Sequence, residues 1–213
     1  MGRIYDATWG RAFSAIYDRG LKASEEAGLR EMRREVLAGA TGRTVEVGAG
    51  TGLNLGLYPT AVSELTLVEP DPHMLKKLRV KLQGSGGEVS AIQAPAESLP
   101  FADGSVDTVV FTLVLCTVSD PAAALAESAR VLRPGGRLLF VEHVRSRDPG
   151  LARWQDRLEK PWRFLGDGCH CNRDTVATIE ASPFRLDKLE HQRLPKAVPI
   201  VAPLVRGGAT LAA

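Results

Sequence analysis

The chain has 213 residues, of which 44% are hydrophobic and 24% are charged, and its formal net charge is +2. This length and composition predict a single globular domain with a sizeable core and exclude an intrinsically disordered chain. Because the net charge is so small, no nucleic-acid partner is expected.

The three cysteines do not form a recognisable framework. Their number is odd, and neither Cys169-His170-Cys171 nor Cys116 supplies a paired C-x-x-C zinc pattern. We therefore expect a reducing, cytoplasmic setting and no metal site. No apolar run reaches the roughly 18 residues that a membrane-spanning helix needs, and the N-terminus lacks the apolar core of a signal peptide, so a soluble protein is expected.

The first 40 residues have helical periodicity. An aromatic stripe at four-residue intervals consists of Tyr5, Trp9, Phe13 and Tyr17. On a helix this stripe either docks on the core or closes over a ligand as a lid. Residues 21–38 then place an apolar face opposite a charged one and predict a packing helix that ends at Gly39.

A glycine-rich loop follows the first predicted strand. Residues 43–47 are the strand, and the sequence GAGTG occupies positions 48–52. Glycine permits positive φ and close approach of a ligand to the backbone, so this loop predicts a cofactor site at the carboxyl end of a parallel strand. The G-x-G-x-G spacing is one residue shorter than that of dinucleotide-binding loops, which disfavours a nicotinamide-dependent dehydrogenase. We expect the turn and a short helix to end near Pro59.

The second predicted strand, residues 64–68, delivers an acidic residue to the same edge. Glu69 follows Gly48 by twenty-one residues. A carboxylate at the tip of the neighbouring strand can accept hydrogen bonds from both hydroxyls of a ribose. Asp71-Pro72 then begins a helix, and residues 84–87 break it.

The pattern of short apolar runs alternating with helices continues. Strand three is expected at 89–93 and strand four, one long apolar run, at 106–118. A helix capped by Asp120 should end at Pro134-Gly135-Gly136, ahead of strand five at 137–144. The alternation predicts a parallel sheet with helices on both faces.

The remaining residues differ in character. Residues 145–164 are rich in arginine and predict a helix that Pro161 interrupts. Their charge is typical of a solvated helix face, and it is also compatible with an anionic substrate or a peripheral membrane contact. A second short helix capped by Asn172 precedes 184–194, which we expect to pair antiparallel with the C-terminal segment.

Several motifs occur in a fixed order. VEVGAGTG, VEPDP, APAESLPF, DTVVFTLVLCTV and VLRPGGRLLFVEHV lie within residues 43–144. With them the chain resembles a class I S-adenosylmethionine-dependent methyltransferase. TLVLCTV, RPGGRLLFVEHV and GDGCHCNRDT are most similar to the group whose vertebrate members are alkyl-thiol S-methyltransferases, with bacterial relatives labelled phospholipid methyltransferases. Pro203-Leu204-Val205 departs from the Pro-His-Ile of the vertebrate members.

The resemblance implies a Rossmann-like α/β fold. Its sheet would have seven mostly parallel strands, helices on both faces and an antiparallel final strand. One methyltransferase domain would span residues 1–213, divided into a helical lid and packing helix (1–40), a cofactor-binding core (43–144), a helical insert over the substrate site (145–183) and closing strands (184–213).

The resemblance also assigns residues to the cofactor, S-adenosylmethionine. These are Glu46, Gly48, Ala49, Gly50, Gly52, Asn54, Glu69, Pro70, Met74, Ala96, Glu97, Leu115 and Cys116. The glycine loop would cradle the methionine part, Glu69 would hold the ribose, and Ala96 and Glu97 would read the adenine edge. Leu115 and Cys116 would line the path to the methyl group, Cys116 as a wall residue and not as a nucleophile.

The implied reaction is methyl transfer to a small-molecule acceptor. A thiol is the leading acceptor, and an amine, a phenol, a quinone ring or a phospholipid headgroup are the alternatives. The candidate catalytic residues are His143, at the tip of strand five, with Asp167, His170 and Arg173, in the later glycine loop. Structural roles compete for these residues, since His143 can bond to backbone and Asp167 can shape a turn. Replacing His170 by Ala is expected to lower turnover sharply. A non-catalytic cofactor-binding subunit that serves a partner is a further alternative.

Overall fold

The computed structural model describes residue 14 and residues 16–83 and 88–212. The helices are α1 (16–24), α2 (Arg30–Leu37), α3 (Pro72–Lys81), α4 (Pro121–Val131), α5 (Pro149–Leu165) and α6 (Thr175–Glu180). The strands are β1 (Gly42–Val47), β2 (Val62–Val68), β3 (Val89–Ile92), β4 (Val106–Thr112), β5 (Leu132–His143), β6 (Phe184–Arg193) and β7 (Pro203–Leu211). A π-helical turn, Glu25–Leu29, joins α1 to α2, and a 3₁₀ turn, Pro199–Val201, precedes β7.

Within these described residues, seven strands form a single sheet in the order β3-β2-β1-β4-β5-β7-β6. The five strands β1 to β5 are parallel to their neighbours, whereas β7 is antiparallel to both β5 and β6. The prediction of a mostly parallel sheet with an antiparallel final strand is confirmed. The strand order reverses between β1 and β4, and open α/β sheets bind their ligands at the carboxyl ends of strands beside such a reversal.

Helices cover both faces of the sheet. On the central strand β4, Val109 and Phe111 pack in the cluster that contains α4 and α6, and Val110 packs on the other face with Leu37 of α2. Helix α3 packs against β2 on the α2 side, through the cluster that includes Leu67. Burial on both faces explains why the parallel strands are continuous apolar runs.

The fourth strand is shorter than predicted. It ends at Thr112, although the apolar run continues to Val118. Leu113 has φ 61°, in the left-handed region that strands do not use. The backbone amides of residues 114–116 donate to the carboxylate of Glu142 and not to a neighbouring strand. Hydropathy misplaces the end because these turn residues are apolar as well.

Two predicted helix boundaries near glycine are also wrong. Residues 51–56 form consecutive turns and no helix, because Gly52 and Gly56 have φ values of 80° and 76°, which a right-handed helix cannot include. Helix α4 ends at Val131, before the glycines at 135 and 136, because Leu132 already pairs with Val106 as the start of β5.

Helix α5 continues through Pro161, contrary to the predicted interruption. The proline removes one amide donor to the carbonyl of Arg157, and both residues are exposed, so water can bond to that carbonyl. No helix in the described part of the chain is long and apolar enough to cross a membrane.

The helix α6 is capped by Asp174, whose side chain accepts a hydrogen bond from the amide of Ala177 at 3.0 Å. The predicted cap, Asn172, instead donates to Asp156 at 3.0 Å. Predictions for Tyr5, Trp9, Phe13 and the break at 84–87 lie outside the described residues.

The two adjacent glycines of β7 provide a test of the sheet packing. A methyl group at Gly207 would lie 2.1 Å from the carbonyl oxygen of Lys188, whereas one at Gly208 would lie 3.3 Å from its nearest neighbour, a side-chain carbon of Leu139. Overpacking of this kind costs about 1–3 kcal/mol. We expect Gly207→Ala to lower the free energy of unfolding by that amount in chemical denaturation, and Gly208→Ala to change it much less. Equal losses would contradict the register between β6 and β7.

Candidate functional site

A cavity of about 810 Å³ opens at the carboxyl edge of the sheet. Its walls come from α1, from the loops after β1, β2, β3 and β4, from the end of β5, and from the end of α5 with the loop that follows. Small-molecule sites have volumes of about 300–1,000 Å³ and favour this edge of α/β sheets. The convergence of segments so distant in sequence makes the cavity the candidate active site.

The glycine loop forms one wall through its backbone. Gly48 and Gly50 line the cavity and have φ values of 69° and 57°. A methyl group on Gly48 would lie 2.5 Å from a side-chain carbon of Val114, which lines the same cavity. Ala49 packs toward α3 and the Cβ position of Gly52 faces that helix, so neither contributes to the lining. The space over the loop therefore depends chiefly on Gly48 and Gly50.

Glu69 lies directly above this loop. One carboxylate oxygen accepts a hydrogen bond from the amide of Gly50 at 2.7 Å, and the other accepts one from the amide of Asp71 at 2.8 Å. Burial raises the pKa of Glu69 to about 7, and these two amide donors oppose that rise. Pro70 and Met74 extend the wall. The carboxylate keeps lone pairs that a ligand in the cavity can use.

A buried polar network lies beneath the loop. Glu46 accepts hydrogen bonds from Asn54 at 2.9 Å and from the hydroxyl of Tyr58 at 2.6 Å. Arg33 donates to the side-chain oxygen of Asn54 at 3.1 Å and pairs with Glu25 at 3.0 Å. Burial raises the pKa of Glu46 to about 7. Glu46 and Asn54, predicted to bind the cofactor, thus support the loop from below and do not line the large cavity.

Arg33 was not selected by sequence reasoning, although its side chain is only 3% exposed. It lies in a run of charged residues on a helix that was predicted to be amphipathic. Such a run gives no signal that one member points inward. The burial of this arginine becomes apparent only when α2 is packed on the sheet, against β5 and β7.

The loop after β3 supplies a further part of the wall. Pro95, Ala96 and Glu97 all line the cavity. One carboxylate oxygen of Glu97 accepts a hydrogen bond from the amide of Asp120, the N-cap of α4, at 3.2 Å. Backbone amides and a carboxylate at this position can match the edge of a heterocyclic base.

The turn after β4 is fixed by a fully buried carboxylate. Glu142 accepts hydrogen bonds from the amides of Val114, Leu115 and Cys116 at 2.9, 3.0 and 3.3 Å. Burial raises the pKa of Glu142, and the three amides oppose that rise. The turn directs Cys116 into the cavity lining, whereas Leu115 is buried in the core.

Two cysteine sulfurs and one histidine nitrogen meet at one corner of the cavity. The thiol sulfur of Cys116 lies 3.7 Å from that of Cys169, and the Nδ1 of His143 lies 3.7 Å from the first sulfur and 3.6 Å from the second. All three residues are buried and line the cavity. The hydrogen bond with Cys169 and burial hold the pKa of Cys116 well above its usual range. Cysteine spacing could not reveal this corner, since 53 positions separate the two cysteines.

Of the catalytic candidates in the later glycine loop, one lines the cavity and another does not. Asp167 lines the cavity and has φ 49°. His170 does not line the cavity, and its Nδ1 lies 2.9 Å from a carboxylate oxygen of Glu159 in α5. Burial lowers the pKa of His170, with a further contribution from the charge of Arg173.

The side chain of Arg173 forms hydrogen bonds with backbone carbonyl groups. Its guanidinium donates to the carbonyl oxygens of Leu115 and Val118 at 2.6 and 2.9 Å. In addition, the amide of His170 donates to the carbonyl of Cys116 at 2.7 Å. These bonds join the later glycine loop to the turn after β4 and so hold the corner together.

Comparison with known proteins gives a consistent result. A family model described as a methyltransferase domain matches residues 45–140. The thiol S-methyltransferase TMT1A of Homo sapiens is 36% identical over 201 residues, which cover 92% of this chain and 81% of the relative. TMT1B of Homo sapiens is 38% identical, with 81% and 73% covered. A phosphatidylethanolamine N-methyltransferase of Cereibacter sphaeroides is 36% identical, with 68% and 74% covered.

Solved structures agree on the fold. A SAM-dependent methyltransferase from Thermotoga maritima, described as a possible histamine N-methyltransferase, superposes with a TM-score of 0.70. The match covers 94% of this chain and 97% of that protein at 22% identity.

The placement of Arg173 predicts a structural effect. Replacing it by Leu leaves two backbone carbonyls without a donor, at a cost of about 1–3 kcal/mol for each buried group. We expect Arg173→Leu to lower the free energy of unfolding by at least about 2 kcal/mol. Arg185→Leu is the control, since that side chain is 77% exposed and its surface pair with Asp187 contributes little. Equal stability of the two variants would contradict a structural role for Arg173.

Proposed function

The chain belongs to the class I SAM-dependent methyltransferases, and from this we propose that it transfers a methyl group from S-adenosylmethionine to a small-molecule thiol. The observation that carries the proposal is one cavity with two different ends. The glycine loop and Glu69 form the first end, and an apolar, sulfur-lined corner forms the second. The similarity to thiol S-methyltransferases over most of the chain supports a thiol as the acceptor.

The first end fits the cofactor. The backbone of Gly48 and Gly50 leaves room that a Cβ at position 48 would fill, so the methionine part can lie on the main chain. Glu69 would accept hydrogen bonds from the ribose hydroxyls, while Ala96 and Glu97 would meet the adenine edge. Pro70 and Met74 would pack on the adenine ring. Within the proposed set, Glu46, Ala49, Gly52, Asn54 and Leu115 would support the site from outside the cavity.

The second end fits a small apolar acceptor. Leu113, Val118 and Leu165 line it, together with Trp162 from the last turns of α5. In the described part of the chain, two buried ring nitrogens that line the cavity lack a hydrogen-bond partner, the Nε2 of His143 and the indole nitrogen of Trp162. Buried donors are rarely unpaired in folded proteins, so these two nitrogens are available to a ligand.

The chemistry requires little of the protein beyond alignment. When bound, the cofactor supplies a methyl group on a positively charged sulfur, which an incoming sulfur displaces in line. The chain's residues hold the two reactants at the required angle and exclude water from the cavity. An acceptor thiol reacts as the thiolate, so the second end must also favour a negatively charged sulfur.

The four catalytic candidates take different roles in this proposal. His143 and Asp167 line the cavity at its second end and can contact the acceptor. His170 and Arg173 act as positioning residues, because the backbone amide of His170 and the guanidinium of Arg173 both donate to carbonyls of the turn after β4. The geometry therefore favours His143 over His170 as the histidine that the reaction needs.

The proposal is tested by turnover of the purified chain. S-adenosylmethionine is supplied with an alkyl thiol, an aryl thiol, an amine, a phenol, a quinol or a dispersed phospholipid, and both S-adenosylhomocysteine and the methylated acceptor are measured by mass spectrometry. We expect product with the thiols alone. Product formed only with the amine, phenol, quinol or phospholipid would replace the thiol with that acceptor. Cofactor binding without transfer to any acceptor would support a non-catalytic subunit.

Matched variants connect that turnover to the cavity. Glu69→Ala should abolish cofactor binding, because the carboxylate above the loop is lost. Glu64→Ala, in the strand that precedes Glu69, should bind as the wild-type chain does, since Glu64 is 50% exposed and pairs with Arg43. Equal binding by both variants would contradict the placement of the cofactor over Glu69.

A further inference from the structure

The corner formed by Cys116, His143 and Cys169 has the dimensions of a metal site. Zinc binds cysteine sulfur at about 2.3 Å and histidine nitrogen at about 2.0–2.1 Å in a tetrahedron. Those lengths require sulfur–sulfur separations of about 3.8 Å and sulfur–nitrogen separations of about 3.6 Å. The observed separations are 3.7 Å between the sulfurs and 3.7 and 3.6 Å from each sulfur to Nδ1. An ion therefore fits between the three atoms without movement of the backbone.

The backbone that carries the three donors is held by hydrogen bonds. Cys116 lies on the turn whose amides Glu142 binds, and the amide of His170, next to Cys169, donates to the carbonyl of Cys116 at 2.7 Å. The carbonyl of His143 accepts a hydrogen bond from Thr175 at 3.3 Å. A metal site needs ligands fixed in this way, because their spacing determines which ion binds.

We propose that Cys116, His143 and Cys169 bind a zinc ion whose fourth position faces the cavity and takes the sulfur of the acceptor. Two thiolates and an imidazole are ligands that zinc prefers over magnesium or calcium. Three protein ligands with one open position are typical of catalytic zinc, whereas structural zinc sites have four. All three residues line the cavity, so an acceptor in the cavity can reach an ion bound between them. This inference rests on the proposed thiol function for the identity of the fourth ligand.

The zinc ion stabilises the negatively charged acceptor sulfur that the reaction requires at the second end of the cavity. A thiol that coordinates zinc loses its proton, which leaves to solvent. A lone pair of the bound thiolate forms the new carbon–sulfur bond, and the electron pair of the broken bond stays on the cofactor sulfur, which becomes a neutral thioether. The methylated acceptor is a thioether as well, and it is released because it is a weaker zinc ligand than a thiolate. The ion keeps its charge throughout.

The site explains a feature that the fold alone does not require. Two cysteines and a histidine converge on the cavity, although this chemistry needs no covalent intermediate on a cysteine. The third cysteine, Cys171, is buried beside them, but its sulfur lies 3.8 Å from the backbone oxygen of Gln155 and outside the corner. Cys171 therefore provides a matched control within the same loop.

The test uses the purified full chain, stripped of metal under reducing conditions and titrated with zinc or with cobalt(II) as a spectroscopic substitute. We expect one equivalent to bind and cobalt to show thiolate charge-transfer absorption with tetrahedral d–d bands. Cys116→Ala and Cys169→Ala should bind at least about 100-fold more weakly, a larger loss than a supporting residue causes. Cys171→Ala should bind as the wild-type chain does. Circular dichroism of each variant establishes that it is folded.

Three results would overturn the site. They are no binding of zinc or cobalt by the wild-type chain, equal affinity in Cys116→Ala and wild type, and a Cys116–Cys169 disulfide that persists in reductant.

The fourth position is tested on the wild-type chain alone. Adding an alkyl thiol should shift the cobalt spectrum, whereas the corresponding methyl thioether should not. A cobalt spectrum that does not change when the thiol is added would overturn the proposal that the ion binds the acceptor. Thiol methylation at an unchanged rate by the metal-free protein would overturn it as well. If metal and thiol bind but no methyl transfer follows, the zinc site stands and the proposed function fails. The two failures are therefore distinguishable.

Discussion

The carboxylate of Glu142 is the constraint on which the cavity depends. It is fully buried at the end of β5. It accepts hydrogen bonds from the backbone amides of three consecutive residues that would otherwise continue β4. A buried carboxylate is costly unless such donors surround it, and three amides in a row can converge on it only if the chain turns. Leu113 consequently adopts a left-handed conformation, and the turn brings Val114 over Gly48 and Cys116 beside His143.

Two more buried carboxylates that accept hydrogen bonds from neighbouring segments lie along the carboxyl edge of the sheet. Glu46 at β1 and Glu69 after β2 are also buried, and each is bonded by donors that fix a neighbouring segment. Glu46 holds Asn54 and Tyr58 beneath the glycine loop, and Glu69 holds the amide of Gly50 above it. The loop is therefore clamped from both sides. A rigid loop can bind a ligand without the entropic cost of ordering it first.

Local sequence signals predicted the parts of the site that are close in the chain. The apolar strand, the glycines and Glu69 lie within about two dozen residues, and their chemistry follows from their residue types. The sheet was predictable for the same reason, since each strand is a separate apolar run. Where the structure departs from the prediction, the cause is a contact that periodicity does not record. Val114, Leu115 and Cys116 look like strand because they are apolar, but their amides bond to a residue 26 to 28 positions away.

Long-range pairs were missed for the same physical reason. Cys169 meets Cys116 only because α5 returns the chain to the turn after β4. Arg33 meets Asn54 only because α2 packs on the sheet, against β5 and β7. His170, in the later glycine loop, was a catalytic candidate together with His143. The side chain of His170 faces Glu159, and the backbone amide of His170 donates to the carbonyl of Cys116 at the corner.

The central claim is that the cofactor lies on the bare backbone of the glycine loop, and calorimetric titration of S-adenosylhomocysteine into two alanine variants tests it most directly. Gly48 and Gly56 both have positive φ, 69° and 76°, so alanine strains both positions. Only the methyl group at position 48 meets a neighbour, Val114, whereas nothing lies within 4 Å of the one at position 56. We predict that Gly48→Ala loses binding while Gly56→Ala retains the wild-type affinity. Undiminished binding by Gly48→Ala would contradict the account.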